Sequence, residues 1–157
     1  DYLLSHAIEN LLELKNFEVL NIFKNCTKNM SCAEIKQYFS QNSIPTKKQY
    51  IEVCKNKTAE LFSTILESCS IITNLEQKKA KNFGILFGIC FQINNDLNKE
   101  SAKIDKLNGI YTAKDVLGIE NTELLLDNYK KEMENLIKNF PENIYKKNSP
   151  IFCRNLS

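Results

Sequence analysis

Lys81–Lys99 reads KNFGILFGICFQINNDLNK, and its spacing decides the fold class. Ala80, Phe83, Gly84, Phe87, Gly88, Phe91 and Asn95 recur at steps of three and four, the period of an α-helix. Gly84 and Gly88 lie one turn apart, so a second helix can come close there, at some cost in helix propensity. Gln92, Asn95, Asp96 and Lys99 then follow at the C-terminal end. An apolar helix that ends in amides and a carboxylate is built to hold something at that end.

Outward from this helix the same period continues. Leu3, Leu4, Ala7, Ile8, Leu11 and Leu12 form the apolar face of a helix over Asp1–Leu14. A second helix is expected over Phe17–Phe39, with a break at Ser40–Ile44 before Pro45. Thr46 and Gln49 have capping-box spacing and predict a helix start that runs to about Ile72. Asn74 with Gln77 repeats the signal ahead of the central helix. Asn98–Gly109 is polar and reads as a loop, and a last helix is expected from about Ile119 to Phe140, with Pro141 and Pro150 punctuating the tail. The chain shows no internal repeat.

Composition agrees with a helical reading. The 157 residues suffice for one domain with a core, and hold only four Gly and three Pro. The 21 Lys and Arg against 19 Asp and Glu give no basic surplus that would argue for nucleic acid or a membrane surface. No apolar run reaches the roughly 18–20 residues of a membrane span. Cys26, Cys32, Cys54, Cys69, Cys90 and Cys153 form no C-x-x-C pair, and His6 is the only histidine, so a structural zinc site is not expected. The cysteines read as small hydrophobes in a reducing cytoplasm. Asp-Tyr-Leu-Leu reads as the inside of a helix, so the chain is expected to be a piece of a longer protein.

The central segment resembles the part of trans-prenyltransferases, the polyprenyl or isoprenyl diphosphate synthases, that carries their second aspartate-rich motif. The family pattern there is roughly F-Q-I/L-x-D-D-x-x-D after a small-residue helix. Phe91, Gln92 and Ile93 match; the three aspartate positions hold Asn95, Asp96 and Lys99. Five further pieces fit in family order. DYLLSHA (Asp1–Ala7) resembles a D-Y/F-L-L helix, and CAEIKQYF (Cys32–Phe39) resembles a G-E-x-x-Q piece that aligns Gln37. YIEVCKNKTAELF (Tyr50–Phe62) resembles the K-T piece, in which Lys57 matches the diphosphate-contacting lysine and Thr58 its neighbour. KIDKLNGIYTA (Lys103–Ala113) aligns Asp105, Gly109 and Thr112, and GIENTELLLDNYKKEMENLIKNFPENIY resembles the terminal helices.

The resemblance implies an all-α, mostly antiparallel helical bundle over residues 1–157 as a single domain, a partial isoprenoid-synthase fold. It implies a transferase of isoprenoid biosynthesis that condenses isopentenyl diphosphate onto an allylic diphosphate with magnesium. Lys57, Thr58, Gln92 and Gln37 would then contact diphosphate, and Asp96 with Asn95 would mark the Mg²⁺ end. Mg²⁺ takes carboxylate and phosphate oxygens and polarises the leaving group. On this alignment the first aspartate-rich motif and the arginine pair after it belong upstream of Asp1, leaving the C-terminal half. Lys99 also stands where a carboxylate should, one turn from Asn95, and repels a cation. The chain alone is therefore expected to be inactive. The implied partners are isoprenoid diphosphates together with a second subunit or the missing half, with no nucleic acid and no membrane span, in the cytoplasm. The alternatives are a non-catalytic subunit or remnant that packs on a partner helical domain, or an unrelated helical domain. Taken singly, Lys57 reads as a solvated lysine, Gln37 and Gln92 as helix-bridging amides, Asn95 and Asn98 as helix ends, Asp96 as a surface acid and His6 as a face residue.

Overall fold

The computed structural model describes residues 2–40 and 43–140; the side chains of residues 99–102 are outside that description. Ser40–Ile44 falls partly outside it, and Asp1, Pro141, Pro150 and Cys153 wholly so. The helices are α1 (Tyr2–Glu13), α2 (Phe17–Phe39), α3 (Lys47–Val53), a π-helical segment (Cys54–Ala59), α4 (Glu60–Ile72), α5 (Gln77–Leu97), α6 (Lys99–Leu107), α7 (Ala113–Leu117) and α8 (Ile119–Lys138). No strand occurs among the described residues.

Neighbouring helices run antiparallel. Thr58 pairs with Gln92, Phe62 with Phe87, and Glu67 with Lys81, so each step up α5 is a step down α4. Across the other flank, Asn29 bonds Glu60 while Gln37 bonds Lys57, which sets α2 antiparallel to α4. The core lies where α5 meets the π segment, α7 and α8, around Cys54, Ala59, Ile89, Cys90, Ile93, Ala113 and Leu126. Met133 and Ile137 close the far end against Phe83, Leu86 and Phe87.

Gly84 and Gly88 do what their spacing predicts. A Cβ on Gly84 would stand 2.5 Å from Ser63 Cα, and one on Gly88 would collide with Ala59 Cα. The two backbones touch there, with no room for a side chain. Gly88→Ala gains about 1 kcal/mol of helix propensity but meets backbone, which cannot give way as a side chain would, so its overpacking cost lies at the upper end of about 1–3 kcal/mol or above. The expected result is a net loss of at least about 1 kcal/mol in urea-induced unfolding. An unchanged or raised midpoint would contradict the close approach.

Helix boundaries show where local chemistry departs from the sequence reading. Thr46 and Gln49 form the expected capping box. The helix that follows is continuous to Ile72 but carries one π turn, which apolar spacing does not disclose. Asn74 stops α4 instead of starting α5. Its φ is +54°, its N–H bonds Ile71 O, and Leu75 N–H bonds Ser70 O, which is a left-handed helix stop. The N-cap of α5 is Glu76. The expected loop Asn98–Gly109 is mostly helix α6, since it holds no Gly or Pro before Gly109 and polarity alone does not break a helix. Gly109 (φ +69°) ends α6: its N–H bonds Lys106 O and Ile110 N–H bonds Asp105 O. Ala113–Leu117 forms a short helix that was not expected.

Candidate diphosphate site at the C-terminal end of the central helix

A cavity of about 700 Å³ opens between α2, α3 with the π segment, the end of α5 and the turn after α6. Gln37, Lys57, Thr58, Gln92 and Asp96 all line it, together with Tyr50, Cys54, Asp105 and Tyr111. Asn95 is half-buried on the neighbouring face of α5 and does not line it.

The side chains form two linked groups. At the mouth, Lys57 Nζ donates to Gln37 Oε1 at 2.8 Å and pairs with Glu34 at 2.6 Å. Deeper, Thr58 Oγ1 donates to Gln92 Oε1 at 2.9 Å, and Gln92 Nε2 donates to Asp96 Oδ1 at 2.8 Å. Lys57 and Thr58 are adjacent on the π segment, and one bonds Gln37 of α2 while the other bonds Gln92 of α5. π turns of this kind recur at functional sites.

Asp96 is the buried end of this chain of bonds, 2% exposed. Its Oδ2 accepts from Tyr50 Oη at 2.8 Å and from the Ala113 backbone N–H at 2.7 Å. Three donors converge on one carboxylate, which ties α3, α5 and the start of α7 together. Thr112, one residue earlier, caps α7 through Asp115. Burial is the largest influence on the Asp96 carboxyl and raises its pKa, while the Ala113, Tyr50 and Gln92 donors oppose the shift. Burial also pushes the Cys54 thiol up to about 12, so this thiol stays protonated and inert at neutral pH.

This arrangement does not fit the expectation that Asp96 and Asn95 hold Mg²⁺. Mg²⁺ needs near-octahedral oxygen ligation. Asp96 offers oxygens already taken by N–H and O–H donors, and Asn95 faces elsewhere. Among the described residues no three His, Cys, Asp or Glu side chains group as a metal site. The Lys99 side chain lies outside the description. The readings of Gln92 and Gln37 as helix-bridging amides and as cleft residues coincide, since each bridges elements and lines the cavity. Asn98 is the C-cap of α5. His6 is an exposed face residue, stacked on Tyr2 and 3.2 Å from Glu9. Sequence reasoning gave no role to Tyr50 or Glu34, although both lie in the aligned pieces. A tyrosine seven residues before Lys57 and a glutamate three before Gln37 were the available signals.

The raised Asp96 pKa has a pH consequence. The folded chain binds more protons than the unfolded chain between the two pKa values, so the Asp96 contribution to stability falls as pH rises above about 4. Asn at this position cannot accept from all three donors, so Asp96→Asn is expected to cost roughly 1–3 kcal/mol at the acid end. That penalty should shrink as pH rises, because only the parent loses stability with pH through this group. Urea unfolding of both proteins across the range checks it, and a penalty that grows with pH would refute it.

Comparison with known proteins gives one family. The family model described as polyprenyl synthetase matches residues 1–149. A prenyl transferase from Cyanidium caldarium is 28% identical over 101 residues, 62% of this chain and 31% of that protein. Heptaprenyl diphosphate synthase from Staphylococcus aureus superposes with a TM-score of 0.89 at 20% identity, over 99% of this chain and 64% of that one. Geranyltransferase from Helicobacter pylori, complexed with magnesium and isoprenyl diphosphate, gives 0.71 at 18% identity, over 88% of this chain and 50% of that one. The chain therefore has the all-α fold of these synthases and spans about a third of the curated relative it matches.

Proposed function

The chain belongs to the polyprenyl synthetase family, and on that premise we propose that it is part of a cytoplasmic isoprenoid-biosynthesis enzyme that transfers a prenyl group from an allylic diphosphate to isopentenyl diphosphate. Residues 1–157 form, on this reading, one helical domain that corresponds to the C-terminal half of such an enzyme. The carrying observation is convergence: Gln37, Lys57, Thr58 and Gln92, from three separate segments, line one cavity. Lys57 supplies a point charge for phosphate oxygens, and Gln37 directs it. Thr58 and Gln92 are fixed by Asp96 and offer further polar contacts. Asp96 serves as the organiser of this end, in place of the metal role its motif suggests.

Magnesium is the cofactor named with a structural relative, and it supplies Lewis acidity to a diphosphate leaving group when bound. The described side chains do not group as a protein-held Mg²⁺ site, so binding is assigned to Lys57 and its neighbours. Two outcomes are expected for the purified chain. Inorganic pyrophosphate binds in calorimetry, and Lys57→Met weakens it about tenfold or more, as expected for a charge-assisted contact. With farnesyl diphosphate, isopentenyl diphosphate and Mg²⁺, no diphosphate is released, because the described residues bring together no cluster of acids to hold the metal such a reaction uses. Robust turnover would overturn the second expectation, and an unaltered Lys57→Met isotherm would overturn the site.

A second reading, a subunit or remnant that packs on a partner helical domain, is favoured by α1. This helix buries none of its residues, and Tyr2, Leu3, Leu4, Ile8 and Leu12 are exposed, as is Phe17 at the start of α2. Such a face seeks cover. Light scattering should then show self-association, or a hydrophobic dye should bind the free chain. A monomer that binds no dye would remove this reading. No helix among the described residues is long and apolar enough to cross a membrane.

A further inference from the structure

Lys57 is held by two acceptors of different kinds. Gln37 is half-buried and lines the cavity; Glu34 is exposed and does not. An ammonium group has three N–H donors. One goes to Gln37 Oε1 at 2.8 Å and one to Glu34 Oε2 at 2.6 Å, so two are already spent. An anion that enters the cavity must share the remaining donor or take one of these. The neutral amide keeps the ammonium at the cavity lip without opposing an anion. The carboxylate neutralises the charge that an anion seeks.

A second ion pair joins α2 to α3, the helix that leads into the π segment. Lys36 of α2 lies 3.7 Å from Glu52 of α3, with the opposite polarity to Glu34 of α2 and Lys57 of the π segment. Lys36 and Glu52 both line the cavity. Two reciprocal ion pairs thus join α2 to α3 and the π segment beside the cavity, and all their members are at least one-third exposed.

We propose that Glu34 is a built-in competitor for the anion: its carboxylate occupies Lys57 while the cavity is empty and is displaced when a diphosphate binds. Glu34 is not needed to aim the lysine, because Gln37 does that from inside the cavity. This inference rests on the diphosphate reading of the cavity. It assigns to Glu34 a role opposite in sign to that of a positioning residue, since its removal should improve binding.

The experiment is the calorimetric titration with inorganic pyrophosphate, on the parent, Glu34→Gln, Glu34→Ala and Lys57→Met. Both Glu34 variants should bind about two- to fivefold more tightly near 0.05 M salt, the scale of an exposed ion pair. The gain should vanish near 1 M salt, where screening acts within about 3 Å. Glu34 is exposed, so both variants should keep the parent's helical circular dichroism, and agreement between them excludes a new contact made by either side chain. Binding that is unchanged or weaker in the Glu34 variants at low salt, with Lys57→Met impaired, would overturn the competitor role alone. Lys57→Met binding as the parent does would overturn the diphosphate reading as well.

Discussion

At Gly84 and Gly88 the central helix rests on the backbone of its neighbour, and the rest of the molecule is arranged around that contact. Ser63 and Ala59 lie directly opposite. Contact at this distance leaves no freedom of register, because a shift of one residue would bring a side chain into a space that holds none. The register in turn sets Gln92 beside Thr58 one turn further on, and Phe87 against Phe62 at a ring separation of 4.8 Å. The polar end of the cleft is therefore a consequence of how two small residues pack, as much as of the polar residues themselves.

Asp96 plays the corresponding part at the other end. A buried carboxylate is costly unless its oxygens are satisfied, and here the satisfaction comes from three elements at once. Tyr50 reaches it from α3, Gln92 from its own helix, and the Ala113 N–H from the start of α7. Of the three positions that the resemblance sets against the aspartate-rich motif, Asp96 alone is an acid, and the fold itself uses its carboxylate.

Much of this was legible in the residues. The i, i+3, i+4 pattern announced the helices, and α2 spans Phe17–Phe39 as the pattern indicated. The cleft residues Gln37, Lys57, Thr58 and Gln92 were picked out by motif resemblance, since the polar types themselves do not say which lysine among many faces inward. Three things were not legible. The π turn leaves no periodic signature, because one extra residue per turn is invisible over six residues. Helix α6 was hidden by its polarity, which reports exposure and not conformation. The saturation of Asp96 depends on Tyr50 and Ala113, 46 and 17 residues away, and such long-range closure is a property of topology.

The π segment ties these levels together in one further way. An α-helix advances about 100° per residue, so one residue more or less between Cys54 and Ala59 would turn everything after it by that angle. The helix could be regularised by deleting a residue, and its own backbone bonding would improve. The row that ends in Ser63 would then swing away from Gly84, while the Thr46 capping box would stay where it is. The wide turn behaves as a fixed gear between two helices that must each keep their own phase. Its irregularity is held in place from both sides, and the lysine and threonine of the cleft are carried on that gear.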